Sequence, residues 1–272
     1  MTVEHITSLK NPRVLAWRAL KDTKGRRAHE AFLVEGQRMA EEALASAFPL
    51  EALLIRDGYL SPESLPAFFR DRRLDREPPV FFLPEHVFAA VCDTKTPQGI
   101  AAVLRILPRP LAGRRFIALY GLQDPGNVGT ILRTADAAGF DGILLSPDCA
   151  DVFSPKVLRA TMGSIFRVGL DFPRDLSARL SKLKTEGFSV LSSQLDGTPF
   201  YDRVNVAEKL VLVVGNEGNG VSEAVRRVAT HHLRLPMRGG AESLNAAIAA
   251  GIMMYELMRT EPPEHPVPGA IS

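Results

Sequence analysis

The stretch LVLVVGNEGNGVSEAV, residues 210–225, decides the fold. Its first five residues are all valine or leucine, which reads as a buried strand. Gly215-Asn216-Glu217-Gly218-Asn219-Gly220 follows, and Val221-Ser222-Glu223 opens a helix. A buried strand running through a glycine loop into a helix is the repeating unit of a parallel α/β sheet. Three glycines in six residues let the backbone turn tightly and approach a ligand without Cβ atoms in the way. An ordinary strand-to-helix turn also uses glycines. The carboxylate of Glu217, however, is not needed for turning, and it directs attention to the other strand ends.

The alternation extends upstream and downstream. Residues 116–122 read as a strand, 128–139 as a helix and 142–145 as a strand. Ser154-Pro155 opens a helix reaching 165; 168–170 is a strand, 175–186 a helix and 188–191 a strand. After the 210–214 strand come a helix at 222–229, a strand at 233–235 and a long helix at 243–259. Strand and helix in turn predict a parallel sheet covered on both faces, with ligands at the carboxyl ends of its strands. The first hundred residues form a smaller α/β pattern. A helix starts at Asn11-Pro12, KDTKGRR at 21–27 is a basic turn, and strands lie at 31–34, 50–55, 80–83 and 100–107. Helices at 39–47, 61–69 and 85–91 separate them. Pro108, Pro110 and Gly113 among arginines predict a linker. The expected organisation is a domain at 1–107, a linker at 108–114, a second domain at 115–262 and a tail at 263–272.

A hydrophobic content of 46% and a charged content of 24% are those of a soluble globular chain with a substantial core. Net charge is only +2, so the distribution says more than the sum. Residues 1–40 carry eight Lys/Arg against four Asp/Glu, and residues 105–115 carry four arginines and no acid. Such patches are candidate phosphate contacts, although most basic runs are simply solvated. Cys92 and Cys149 form no paired motif, which argues for a reducing compartment and against a disulfide framework or a metal site. No apolar run reaches membrane-spanning length, and no signal-peptide core is found at the N-terminus. The expected location is the cytoplasm.

Three loops at strand ends carry unusual chemistry. In GLQDPGNVGTILRTADAAGF, residues 121–140, Asn127 lies at the helix entrance. Val128, Ile131, Leu132, Ala135 and Ala138 share one apolar face, and Arg133 projects away from it. A solvated Arg133 paired with Asp136 three residues on is the plainer reading. The second loop is GNEGNG itself. In the third, LRLPMRGGAESLNAAIAAGIMMYELM, Pro236 ends a strand, Gly239-Gly240 loosen the loop, and Ser243 caps a helix with Asn245 in its first turn. Ser243 and Asn245 also have the ordinary reading of capping residues. Ala246, Ala249, Ala250 and Gly251 make a small-residue surface that another backbone can approach.

Together these residues resemble the three motifs of the SpoU/TrmH RNA 2′-O-ribose methyltransferases: Asn127 to Arg133; Gly215-Asn216-Glu217-Gly218; and Pro236-Met237 with Ser243-Leu244-Asn245. RATMGSIFRV at 159–168 is similar to the element between them. ITSLKNPR, FLVEGQR at 32–38 and DTKTPQGI at 93–100 resemble the ribosomal-protein-like substrate-binding domain of one branch of that family. The resemblance implies an N-terminal RNA-binding domain, a C-terminal trefoil knot, S-adenosylmethionine in the knot and an active site at a homodimer interface. General folding rules would not suggest a knot. It further implies cofactor contacts from Gly215, Asn216, Gly218, Leu235, Pro236, Met237, Ser243 and Leu244. Arg133, Asn127, Glu217, Ser243 and Asn245 become the catalytic set, with no metal. Ribosomal RNA is the expected substrate and transfer RNA the alternative.

Methyl transfer to a ribose hydroxyl needs a proton acceptor or a strongly polarising neighbour, because the hydroxyl is a poor nucleophile. The family proposal gives that role to Arg133. A guanidinium ordinarily keeps its proton in proteins, so the alternative is that Arg133 holds phosphate and stabilises alkoxide charge. A Rossmann enzyme would need a GxGxxG turn after an early strand; Leu122-Gln123-Asp124-Pro125-Gly126 lacks it. A non-catalytic RNA-binding protein of the same fold would be expected to lose Arg133, Glu217 or Asn245, and all three are present.

Overall fold

Apolar runs in the first hundred residues become strands and the inner faces of helices, as their spacing predicts. The computed structural model describes residues 2–70, 78–107, 110–203, 206–216, 218 and 220–259. The N-terminal half contains β1 (Val3–His5), α1 (Pro12–Ala19), α2 (Thr23–His29), β2 (Ala31–Glu35), α3 (Gln37–Leu44) and β3 (Leu50–Arg56). It continues with α4 (Leu65–Arg70), β4 (Val80–Leu83), α5 (Glu85–Val91) and β5 (Ile100–Arg105). Its sheet has the order β1-β4-β3-β5-β2. The two pairs made by β4 are parallel, while β5 runs antiparallel to β3 and β2. Asn11 caps α1 by accepting from the Arg13 amide, with Pro12 in the first turn.

Two local readings change here. The stretch 21–27 is not a basic turn but largely the helix α2, and its Arg26 is only 2% exposed. The Arg26 guanidinium donates to the Leu20 and Lys21 carbonyls at 2.7 and 2.8 Å and to Thr23 Oγ1 at 3.0 Å. β1 has no sequence signal because Val-Glu-His lacks an apolar run; it exists through its pairing with β4.

The C-terminal half contains β6 (Arg115–Tyr120), α6 (Pro125–Ala137), β7 (Gly142–Leu145), α7 (Pro155–Thr161), β8 (Gly169–Asp171) and α8 (Leu176–Thr185). Then come β9 (Ser189–Pro199), β10 (Leu210–Gly215), α9 (Glu223–Val228), β11 (His231–Arg234) and α10 (Ala246–Met258). All six strands are parallel, in the order β11-β9-β10-β6-β7-β8. This is the expected parallel sheet. α6, α7 and α10 pack on one face and α8 and α9 on the other. The helix expected to reach 165 stops at Thr161, because Met162 and Gly163 take left-handed backbone with φ of 50° and 95°. β9 runs to Pro199, well past the apolar residues that signal it, because β11 pairs along its extension.

The two halves share one hydrophobic cluster. Phe32 and Phe48 meet Phe153 and Phe166, with centroids 4.7 Å apart for Phe32–Phe153 and 5.8 Å for Phe48–Phe166. Arg26 reaches across and donates twice to Asp151 Oδ2, at 2.9 and 2.7 Å. Arg159 donates to Asp93 Oδ2 at 2.8 Å and Arg167 to Glu42 Oε2 at 2.6 Å. The arginines around the linker do not form a free basic patch. Arg105 pairs with Glu51 at 2.7 Å and Arg114 pairs with Glu208. Arg109 lies outside the described residues. Acids distant in sequence thus pair with two of the four arginines in a run that looks purely basic on the chain.

Candidate active site

The loop after β10 and the two ends of the connection from β11 to α10 converge on one cleft of about 770 Å³. The first follows β10. Asn216 bridges to Gly220, whose amide donates to the Asn216 carbonyl at 3.0 Å, and Asn216 Oδ1 accepts from the Gly218 amide at 3.0 Å. The loop therefore folds back onto its own start. A Cβ on Gly215 would lie 2.3 Å from the carbonyl carbon and oxygen of Gly220. Gly215 is thus required by the loop's own backbone, before any ligand is considered. Glu217 and Asn219 lie outside the described residues.

The second segment follows β11. Leu235 and Met237 line the cleft; Pro236, between them, does not. The third precedes α10. Ser243 and Leu244 line the cleft, and Asn245 caps the helix, its Oδ1 accepting from the Ala247 and Ile248 amides at 3.0 and 3.3 Å. The cap expected at Ser243 therefore sits two residues later. An asparagine side chain at Asn245 reaches the first free amides of Ala246–Met258, whereas Ser243 lies on the cleft wall.

Asn127 sits in the first turn of α6, where its amide donates to the capping Asp124 Oδ1 at 2.8 Å. Its own Oδ1 accepts from Asn245 Nδ2 at 2.9 Å. This amide pair ties the starts of α6 and α10 together. Further along, Gly251 faces α6; a Cβ there would meet Thr134 Cγ2 at 3.5 Å, so the small-residue surface of α10 does receive a neighbouring helix. Arg133 is exposed on the outer side of α6 and has no ion-pair or hydrogen-bond partner among the described residues. The plainer reading, a pair with Asp136, does not hold: Asp136 accepts from Arg167 instead, at 2.9 Å.

The residues matched by family models are 114–255, to the SpoU rRNA methylase family, and 11–102, to the MRM3-like substrate binding domain. The chain belongs to the SpoU rRNA methylase family. Among its relatives, the 23S rRNA (guanosine(2553)-2′-O)-methyltransferase RlmP of Bacillus subtilis is 38% identical over 94% of this chain and 99% of that protein. A solved rRNA methyltransferase from Sinorhizobium meliloti, with S-adenosylmethionine bound, superposes with a TM-score of 0.83 at 32% identity, covering 96% of this chain and 99% of that one. An RNA methyltransferase of the TrmH family from Porphyromonas gingivalis, described by its authors as putative, gives 0.81 at 34% identity, covering 93% and 99%.

In this SpoU-family cleft, several wall residues carry no motif signal in the sequence. Gln194, Leu195 and Asp196 come from the extension of β9, and Arg226 and Glu242 from α9 and the loop before Ser243. Arg226 donates to Asp196 Oδ2 at 2.8 Å, and that bond holds the Asp196 carboxyl below the usual carboxylate range. The pair places one fixed charge of each sign on the wall. Gln194 Nε2 donates to Ser192 Oγ at 3.0 Å and lies 2.8 Å from His232 Nδ1. Only the pairing of β9 with β11 brings these groups to the cleft; nothing in the local pattern SSQLDG announces it.

Proposed function

We infer that the protein is an S-adenosylmethionine-dependent RNA 2′-O-ribose methyltransferase acting on ribosomal RNA. One observation carries the reading. Residues of the second and third motifs, on the loop after β10 and on the connection from β11 to α10, line a single cleft in a member of the SpoU family, and Asn127 of the first motif is tied to it through Asn245. The cleft's volume is that of a small-molecule site, apolar over much of its wall through Val214, Leu235, Leu244 and Met253. Asp196 is already paired with Arg226, which leaves Glu242 as the wall's acid for a cationic ligand. S-adenosylmethionine fits that chemistry, with Gly215, Asn216, Gly218, Leu235, Met237, Ser243 and Leu244 as its holders. When bound it supplies an electrophilic methyl group on a sulfonium.

The chain's own residues do the rest. Arg133, exposed and without a partner among the described residues, is the group proposed to take an RNA phosphate and to stabilise charge developing on the ribose 2′ oxygen. Asn127 and Asn245 hold the two helix starts in register, and Glu217 and Ser243 complete the proposed set. On the same reading residues 1–107 are the RNA-binding domain and 115–262 the catalytic domain. The C-terminal segment is threaded as a trefoil knot. That threading is supported by the return of α10 from the edge strand β11 to pack on α6 and β10. The active unit is a homodimer. Ile248, Ile252 and Tyr255 are 56%, 39% and 54% exposed at a spacing that aligns them on one side of α10.

The test is direct. Ribosomal RNA from cells lacking the protein is incubated with it and tritiated S-adenosylmethionine, and 2′-O-methyl positions are mapped. A single new ribose methyl group is expected. Label on a base, or no label in any ribosomal RNA, rejects the reading.

A further inference from the structure

We propose that Arg167 is a positioning residue for methyl transfer: it holds Asp136 away from Arg133, so that the Arg133 guanidinium stays available to the substrate. This rests on the role given to Arg133 above. It assigns a task to RATMGSIFRV at 159–168, the segment between the first two motifs.

Helix geometry alone would join the wrong partners. Arg133 and Asp136 stand three residues apart on α6, a spacing at which side chains are neighbours and opposite charges attract. In the fold that acid is already taken. Arg167 Nε donates to Asp136 Oδ2 at 2.9 Å, and its Nη2 lies at the same distance from that oxygen. Arg133 is exposed and has no hydrogen-bond or ion-pair partner among the described residues. Asp136 is also the acid whose capture matters. Its side chain is only 22% exposed, and a partly shielded charge is screened less by water and salt than one on the open surface. Left alone, it would draw the nearest cation on its own helix.

Arg167 is itself held on every side. Its Nη1 donates to Glu42 Oε2 of α3 at 2.6 Å, and its Nη2 to the Oγ of the buried Ser164 at 3.3 Å. Its amide donates to the Ser164 carbonyl at 3.0 Å, closing the short turn Ser164–Phe166. The flanking Phe166 and Val168 are buried, and the Phe166 ring packs on Phe48. The hydrogen bond from Asp136, above all, pushes the Arg167 pKa up from its ordinary value. A planar guanidinium can serve two carboxylates in fixed directions at once, which an ammonium does not reproduce. Glu42 belongs to the N-terminal half and Asp136 to the helix that carries Arg133. The grip on Asp136 therefore lies at the seam where the two halves meet.

The experiment uses the full-length protein, ribosomal RNA from cells lacking it and tritiated S-adenosylmethionine, with a melting curve for every variant. R167M releases Asp136 to Arg133. Its kcat should fall about two- to threefold, the share of an exposed cation that one such helix pair draws off. S-adenosylmethionine affinity, read by calorimetry, should match the wild type. R167M/D136A also removes the competing acid. It should regain wild-type kcat while melting no higher than R167M, a rescue that a purely structural role would not allow. R167Q, milder in shape but equally without charge, should show the same deficit and the same rescue by D136A. E42Q weakens the tie to α3 but leaves Asp136 held, and should keep wild-type kcat. Wild-type kcat in both R167M and R167Q, a deficit that D136A does not relieve, or an equal deficit in E42Q overturns the proposal alone. Wild-type kcat in R133A overturns the reading of Arg133 and the proposal with it.

Discussion

The cleft and the seam both join segments far apart in the chain, but they are made of different material. Around the cleft, main chain does most of the work. The loop after β10 folds onto its own backbone, and short amides at Asn127, Asn216 and Asn245 fasten it and the helix starts. At the seam, long side chains and rings do it: Arg26, Arg159, Arg167 and a group of phenylalanines. The cleft should therefore fail by steric intrusion and the seam by loss of charge or volume.

Gly215→Val breaks the first half of that comparison most sharply. The branched side chain meets the Gly220 backbone, so the loop must open. We expect no measurable S-adenosylmethionine binding by calorimetry, with circular dichroism close to wild type. Unchanged affinity would mean that the loop's closure does not shape the site.

Arg26→Met tests the seam. It leaves Asp151, at 25% exposure, without its guanidinium and strips a donor from the Leu20 and Lys21 carbonyls. Breaking a buried pair by removing one partner costs about 3 kcal/mol, or roughly 5 °C in melting temperature for a chain of this size. A melting curve within a degree or two of wild type would show that the aromatic contacts alone hold the halves together.

Arg133→Ala should separate the two regions entirely. The side chain is exposed and has no partner among the described residues, so stability should hold, since alanine is also the better helix former. Methyl transfer should fall by about a hundredfold, the scale of one lost charge-stabilising group. Arg133→Lys should rescue poorly, because a point charge does not reproduce the guanidinium fork. Near wild-type turnover in steady-state methylation by Arg133→Ala would return it to the solvated surface and leave Glu217 as the next candidate.

The smallest expected effect is that of Asn245→Ala, which removes the cap of α10 and the bond to Asn127. A loss of about 1 kcal/mol in denaturant unfolding is the usual cost of such a cap. A larger drop in turnover than in stability would sharpen the comparison, by showing that the amide pair positions the site beyond holding the helix.

Most of the C-terminal half was legible because its signals are local. Valine and leucine runs flanked by glycine mark β6, β7 and β10, and Asn11-Pro12 and Ser154-Pro155 mark the starts of α1 and α7, whereas α6 begins at Pro125, three residues before the start read from the sequence. The motif residues of the cleft were legible for a different reason: their order and spacing resemble a known family, while each short motif by itself allows an ordinary turn. β1 and the far end of β9 escaped, since a strand held by its neighbours needs no apolar run of its own.

By itself the sequence determined the secondary structure of most segments, the parallel sheet and the identity of the motif residues, all of which depend on neighbours a few positions apart. Only the tertiary structure decided which charges are free. Arg26 and Asp151 are separated by 125 positions, as are Glu42 and Arg167, while Arg114 and Glu208 lie 94 apart. A cation's role depends on what the fold brings within about 4 Å of it, because paired charges are neutralised and unpaired ones remain available to a ligand. For that reason Arg26 proved a buried tie between the halves, while Arg133 has no partner among the described residues.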